Sequence, residues 1–388
     1  MSSPKQIVVI GGGYVGIQFA QKLAKQLPAS LASITVIEKN EYTFHAIGIP
    51  RAYVDPSYVK KLFIPLNQAL AASHTKLIRG LADTINDKEV LVRKIVDNQP
   101  EEAVTTIPYD YLIIATGSSY TSPVKVSKTT FSVKNAEDAI VNTANGIKAA
   151  SSVLIIGGGP VGIEVAGEIA SAYPDKSVTI LEVNDTLVSN AGVSEKFRTN
   201  LTKKLTALKV KIVLGEKLPE RITANGFDKK TLTTDKGTVL ESDAQLVCAG
   251  MQPNSDLVRK LDPSLVNERG AVKVKADLHL DDKRFPNVFA IGDVNDHPTP
   301  KLAYTGDIQG AHLAKQLAAV IKKGKGAIDP FAMKGPDGLF LPLGPKGGIA
   351  QLPVFGGVVA GDTFVRSMKS KDYFAGKMWS TWHAKLQA

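Results

Sequence analysis

KQIVVIGGGYVG at residues 5–16 and SSVLIIGGGPVG at residues 151–162 are two copies of one pattern, and this repeat decides the fold. Each copy runs from a β-branched strand through a glycine turn into an apolar helical stretch, expected over Ile17 to Leu27 in the first and Ile163 to Tyr173 in the second. A second strand follows each helix, SITVIE ending at Glu38 and SVTILE ending at Glu182. Strand, helix and strand within about 30 residues form the βαβ unit, with a right-handed crossover and parallel strands. The glycines stand as Gly11-x-Gly13-x-x-Gly16 and Gly157-x-Gly159-x-x-Gly162. In that spacing the first glycine permits a tight turn, the second lets a pyrophosphate approach the backbone, and the third lets the helix pack on its strand. The helix N-terminus then faces the phosphates. Glu38, 22 residues after Gly16, and Glu182, 20 residues after Gly162, stand where a carboxylate accepts from ribose hydroxyls. One glycine pattern alone is weak; two, each with strand, helix and acid in place, imply two dinucleotides. A carboxylate at Glu182 repels a 2′-phosphate and favours NADH over NADPH, unless a neighbouring lysine or arginine offsets it.

Outward from the repeat, strands are expected at residues 75–79, 110–115, 210–214, 245–249 and 287–291. A Ser/Thr/Lys-rich stretch at 117–130 separates the two units, and a breaker cluster from Gly250 to Asn254 closes the second. A chain of 388 residues, 44% of them hydrophobic, is long enough for more than one core. It has no run of 18 apolar residues, so no helical membrane span is expected. Cys248 is the single cysteine, which excludes an internal disulfide, a C-x-x-C dithiol and a multi-cysteine metal or iron–sulfur site. No metal is expected. An apolar strand begins by Ile7, leaving no room for a signal or transit peptide, and Ser2 in place of glycine removes an N-myristoyl anchor. A cytoplasmic location is therefore the expectation. The 47 Lys+Arg exceed the 37 Asp+Glu by 10, a basic balance that suits anionic dinucleotides. Adhesion to an anionic membrane surface or to nucleic acid is the sharper alternative.

Two further segments, LIIATG at 112–117 and NVFAIGD at 287–293, match the A-T-G and V-[FY]-A-x-G-D segments of the two-dinucleotide-binding flavoprotein family. Within it the chain resembles the apoptosis-inducing-factor-like and ferroptosis-suppressor-like branch. The resemblance is carried by TFHAIGIPRAYV (43–54), GGGPVGIEVAGEIASAYP (157–174), CAGMQPN (248–254), FAIGDV (289–294), TPKLAY (299–304), LGPKGGIAQLP (343–353) and FVRSMKSKDYFAGKMW (364–379).

The resemblance implies an α/β fold of two Rossmann-like domains, the second inserted in the first. The FAD domain would take residues 1–120 and 252–328, the NAD(P)H domain 121–251, and a small cap 329–388. It implies FAD in the first site, closed by Ala115, Thr116 and Gly117, with Gly292 and Asp293 meeting the ribityl hydroxyls. Arg51 would sit beside FAD, and Lys125 would be a basic residue of the flavin site. Lys301, Leu302 and Ala303 would offer backbone amides at a helix start near the flavin ring. Glu164 would reach the nicotinamide–flavin contact; its alternative is an ordinary first-turn glutamate favoured by the helix dipole. Lys369 would lie near a quinone; its alternative is a solvated surface charge.

The implied activity is hydride transfer from NADH through flavin to a quinone-type acceptor. The alternatives are a reductase of a small redox protein and a nucleic-acid-binding protein. Residues 331–388 carry seven Lys/Arg against three aspartates, with aromatic residues interleaved. That pattern fits an interfacial membrane helix, a lid on the flavin domain, or a homodimer interface. Peripheral attachment to the cytosolic face of a mitochondrial outer membrane or a lipid droplet is the corresponding location.

Overall fold

A computed structural model describes residues 3–121, 123–190, 192–333, 337–354 and 356–386. Ser2, on which the expectation about a lipid anchor rests, lies outside the described residues. The helices are α1 (Tyr14–Ala24), α2 (Ile49–Ala52), α3 (Val133–Ala149), α4 (Pro160–Ala172), α5 (Glu195–Ala207), α6 (Asp256–Leu261), α7 (Ala303–Lys323), α8 (Asp362–Val365) and α9 (Ala375–Thr381).

The first repeat forms β1 (Lys5–Ile10), α1 and β2 (Ala32–Glu38), with β1 and β2 parallel from Lys5↔Ala32 to Ile10↔Ile37. Helix α1 starts three residues before the apolar pattern suggests, because extended Gly13 serves as its N-cap directly after the turn. Helix α4 likewise starts at Pro160, whose fixed φ suits the first helical position. Both strands belong to a seven-stranded sheet in the order Val288–Ala290, Tyr111–Ile114, β1, β2, Thr75–Ile85, Glu89–Val96, Gln99–Pro108. The second repeat lies in a four-stranded parallel sheet, Lys211–Leu214, Ser177–Glu182, Ser152–Ile156 and Ala244–Val247 in that order. Where the chain passes between the two sheets, Ser118–Ser119 pairs antiparallel with Gln252–Pro253. The fold is thus α/β with two sheets: the first is mixed, parallel at its centre and closed by two antiparallel edge strands, and the second is parallel and inserted into the first.

The hairpin Glu89–Val96 and Gln99–Pro108 is absent from the expected strands. It turns at Asp97 and Asn98, both in the left-handed region at φ +48 and +60, which is the turn that matches strand twist. The core of the first unit lies between β1, α1 and α7, where Ile7, Ile17, Phe19, Leu23, Phe289, Leu313 and Leu317 are buried together.

The C-terminal part forms a cap rather than one helix. Three antiparallel strands, Leu339–Pro342, Gly348–Gln351 and Val359–Ala360, precede α8. A π-turn over Arg366–Ser370 then leads into Tyr373 and Phe374, whose φ values of +50 and +65 end helical geometry before α9. The continuous amphipathic stripe allowed by the sequence is therefore broken. Val365, Tyr373, Trp379 and Trp382 turn inward, while Phe364 and Met368 stay exposed.

The cap holds both nucleotide units. On the first, the Tyr58 hydroxyl donates to the Asp372 carbonyl (2.6 Å), and Trp379 Nε1 donates to the Lys61 carbonyl (2.9 Å). Trp382 Nε1 donates to Thr43 Oγ1 (2.8 Å), and Thr43 Oγ1 donates to the carbonyl of Gly12 in the first glycine turn (2.5 Å). On the second, buried Gln351 accepts from the Ser194 amide (2.9 Å) and donates to the Gly192 carbonyl (2.8 Å), and Lys204 pairs with Asp362 at 2.7 Å. Trp382→Phe keeps an aromatic ring but removes the Nε1 donor, leaving Thr43 without it. The expected cost is about 1–2 kcal/mol in urea denaturation, with weaker flavin retention because the Gly12 turn loses its brace. Unchanged stability and retention would show the brace to be unimportant.

Candidate functional site

The two glycine turns have the same construction. A Cβ on Gly16 would lie 1.9 Å from the Gly11 carbonyl oxygen, and one on Gly162 would lie 2.0 Å from the Gly157 carbonyl oxygen. Gly11 and Gly157 have φ near +115, at +113 and +117, and their Cβ positions run into Ala115 and into Cys248–Ala249 respectively. Around the middle glycines, Gly13 and Gly159, a Cβ would meet nothing within 4 Å, so each turn presents open backbone on one side. No side chain caps α1 or α4, so the first-turn amides of both have no partner within the helix. The chain thus builds one and the same open glycine turn twice, a geometry that can accommodate a pyrophosphate.

The acids that end the second strands also brace these turns. Glu38 Oε2 accepts from the Gly12 amide at 2.6 Å and its Oε1 from the Asn40 amide at 2.9 Å. Glu182 repeats this with Gly158 (2.6 Å) and Asn184 (2.9 Å), and is itself buried. A carboxylate oxygen has two acceptor sites, so each acid can brace its turn and still accept from a ribose hydroxyl.

Asp293 follows the strand Val288–Ala290, with Gly292 (φ +79) making the turn. Its Oδ2 accepts from Ser118 Oγ (2.6 Å) and Lys125 Nζ (3.2 Å), so among the described residues Oδ1 is left to meet another donor. Ala115, Thr116 and Gly117 lie alongside: Thr116 Oγ1 donates to the Asn254 carbonyl at 2.7 Å, tying the two chain crossings together. Lys301 turns its ammonium to Asn295 Oδ1 (3.0 Å) and the His297 carbonyl (2.9 Å), and burial lowers its pKa. Leu302 is the extended N-cap of α7 and Ala303 its first residue, so the first-turn amides of α7 have no partner within the helix.

The structure brings Glu164 and Lys369 together. Glu164 is buried and lies past the first turn of α4, which departs from the alternative of a first-turn glutamate favoured by the helix dipole. Lys369 comes from the π-turn of the cap, and its ammonium sits 2.5 Å from Glu164 Oε1 and 3.0 Å from the Phe340 carbonyl. It is no solvated surface charge. Burial pushes the Glu164 carboxyl up to about 7, against the opposing pull of Lys369. Lys369 also lies over the Tyr373 ring, 5.6 Å from its centroid, and Phe340, whose carbonyl it reaches, stacks its own ring with Phe364 at 6.0 Å between centres.

Arg51, expected as a neighbour of FAD, is paired with Glu168. Its Nε and Nη2 donate to the two Glu168 oxygens at 2.7 and 2.9 Å, and Nη2 also reaches the Ser370 carbonyl at 2.8 Å. Sequence reasoning missed Glu168 and Tyr373. The four-residue spacing of Glu164 and Glu168 was the available signal, since it places both carboxylates on one helix face. His45 was also missed. It bridges Tyr14 of α1 (Nδ1 to hydroxyl, 2.7 Å) and the Tyr373 carbonyl (Nε2, 3.0 Å). A carbonyl only accepts, so Nε2 carries the proton and Nδ1 accepts from Tyr14; burial lowers the imidazole to about 4 and keeps it neutral. No group of three or more metal-ligating side chains occurs among the described residues, and none of their helices is long and apolar enough to cross a membrane.

Residues 5–314 match the family described as pyridine nucleotide-disulphide oxidoreductase. Apoptosis-inducing factor homolog B of Dictyostelium discoideum is 32% identical, over 96% of this chain and 95% of that one. Ferroptosis suppressor protein 1 of Homo sapiens is 28% identical, over 98% of this chain and 96% of its own. Among solved structures, the sulfide:quinone oxidoreductase of Aquifex aeolicus has the same fold, with a TM-score of 0.76 at 17% identity, covering 98% of this chain and 92% of that one.

Proposed function

Because the chain belongs to the pyridine nucleotide-disulphide oxidoreductase family, we propose that it is an FAD-dependent NADH:quinone oxidoreductase. The observation that carries this reading is the buried Glu164–Lys369 pair, joined across the second nucleotide helix and the cap at 2.5 Å. The family's dithiol chemistry is closed to this chain, whose one cysteine, Cys248, is buried and has its thiol pushed up to about 12 by that burial. When bound, the flavin supplies two-electron chemistry between the reduced nicotinamide and the acceptor.

The residues present fit both groups. The Gly11–Gly16 turn, Glu38, the Oδ1 of Asp293 and the α7 amides would hold FAD, while the Gly157–Gly162 turn and Glu182 would hold NADH. Reduction of a quinone by NADH consumes one proton from the medium: NADH, H⁺ and quinone give NAD⁺ and quinol. Glu164 accepts from Lys369 Nζ at Oε1, and its carboxyl, raised to about 7 by burial, takes up and releases a proton close to neutral pH. Phe340, Phe364 and the exposed Met368 give the surroundings of Lys369 an apolar, aromatic character that suits a flat, lipophilic acceptor.

The test is anaerobic addition of NADH to the purified yellow protein, followed by a short-chain quinone. Bleaching with reoxidation by quinone supports the reading; bleaching without it leaves a flavin enzyme with another acceptor; no bleaching sinks it. NADH is expected to outperform NADPH in kcat/KM, because a 2′-phosphate would face the buried Glu182 carboxylate. Glu182→Gln removes that charge and is expected to narrow the ratio on the order of tenfold or more. An unchanged ratio would place the discrimination elsewhere.

A further inference from the structure

Glu164 and Glu168 stand one turn apart on α4, and each is buried against a cation from a different part of the chain. Lys369 of the cap holds the first at 2.5 Å; Arg51 of α2 holds the second through two bonds of 2.7 and 2.9 Å. Only the first pair was assigned a role above. The second is the more completely enclosed, with Glu168 at 1% exposure, and a buried ion pair is no cheap way to stabilise a fold.

Tyr373 connects the two pairs. Its hydroxyl donates to Glu168 Oε1 at 2.9 Å, and its ring takes Arg51 at 5.3 Å and Lys369 at 5.6 Å from the centroid. The Tyr373 amide donates to the Lys369 carbonyl (2.6 Å), and Arg51 Nη2 donates to the carbonyl of Ser370, the next residue. Helix α2, helix α4 and the cap therefore meet on Glu168. The residues they bring carry the backbone from which Lys369 projects.

We infer that Glu168, clamped by Arg51 and Tyr373, is a positioning residue that places Lys369 against Glu164 and so sets the electrostatic surroundings in which Glu164 exchanges its proton. The charged and titratable groups facing Glu164 are Lys369 and Tyr373 from the cap, Glu168 from its own helix, and Arg51 behind Glu168 from α2. The strand Leu339–Pro342 adds no charge there; it contributes the Phe340 carbonyl to Lys369. The negative charge of Glu168 favours the proton on Glu164, adding to the larger effect of burial. Arg51 opposes this from behind Glu168.

The inference rests on the role given to Glu164 above, and the experiment separates the two. Full-length protein, purified with its flavin and labelled with ¹³C at glutamate carboxyls, is titrated by NMR. Glu164→Gln identifies the Glu164 resonance by its loss. Glu168→Gln is expected to lower the Glu164 midpoint by about one pH unit, since repulsion goes and Arg51 is left unopposed. The double variant Arg51→Gln/Glu168→Gln, which leaves no unmatched charge, is expected to fall between that value and wild type. The same order is expected in the pH profile of flavin bleaching by NADH.

A Glu164 midpoint that is the same in all three proteins overturns the inference, as does the reverse order. Loss of activity without a moved midpoint would mark Glu168 as merely structural and also overturns it. Should Glu168→Gln fail to fold, the double variant decides alone, supporting the inference below the wild-type midpoint and overturning it at or above that value. Separately, a bleaching profile unchanged by Glu164→Gln sinks the role of Glu164 in the reaction, while the NMR order still judges Glu168.

Discussion

Alanine in place of Gly16 is expected to give a protein that purifies colourless, whereas alanine in place of Gly162 is expected to give a yellow protein that NADH does not bleach. The reason is the same at both positions. The added methyl group would lie 1.9 Å from the Gly11 carbonyl oxygen in one turn and 2.0 Å from the Gly157 carbonyl oxygen in the other. Both obstacles are backbone, so the methyl cannot be accommodated by rotating a side chain; the turn must open and its amides lose their aim at the phosphates. Overpacking of this kind costs about 1–3 kcal/mol where neighbours can yield, and more where they cannot. The two sheets are separate, so each fault is confined to its own turn. Flavin content by absorbance and bleaching under anaerobic NADH check the pair. A colourless Gly162→Ala protein beside a yellow Gly16→Ala protein would reverse the assignment of the two sites.

The second large effect concerns pH. Burial raises Glu164 in the folded protein to about 7, from the ordinary carboxyl value of 4.5. Below about pH 4.5 the group is protonated in both folded and unfolded chains and costs nothing. As pH rises toward 7 the unfolded chain releases this proton first, so folding is progressively penalised; above 7 the penalty is constant. The window is worth on the order of 3 kcal/mol, each pH unit corresponding to about 1.4 kcal/mol. Glu164→Gln removes this contribution. The difference in urea-unfolding stability between variant and wild type is therefore expected to move in the variant's favour between pH 4.5 and 7, then level off. Hydride transfer in the variant is expected to slow on the order of 100-fold, the usual loss when a placed proton-holding group is removed. A stability difference independent of pH would show that Glu164 titrates alike in the folded and unfolded chains and that burial does not hold its proton.

What could be read in the sequence was local. The glycine turns, the strands beside them and the acids at Glu38 and Glu182 lie within about 30 residues of one another, and their spacing follows from a single supersecondary unit. The hairpin Glu89–Val96 and Gln99–Pro108 was also local; Asp97–Asn98 is a turn signal that the expected strands passed over. The pairings at the site were of another kind. Glu164 and Lys369 could each be named, but they are 205 residues apart, and Arg51 and Glu168 are 117 apart. Nothing in either neighbourhood specifies its partner. The break at Tyr373 and Phe374 was equally hidden, because bulky residues adopt positive φ only when tertiary packing imposes it. There the buried Tyr373 ring, fixed between two cations, overrides the helical pattern of the segment.

The cap that grips both nucleotide units also sets a timetable. Synthesis runs from the N-terminus, and domains generally fold as units when their residues emerge. Both glycine turns, and every strand of the two large sheets, precede residue 291. Lys369 and Trp382 come out of the ribosome after all of them. A nascent chain thus carries its two cradles well before it owns the ammonium that meets Glu164 or the indole that braces the first turn. Completion of the last few dozen residues turns a pair of nucleotide-binding units into a site with a charge pair at its centre.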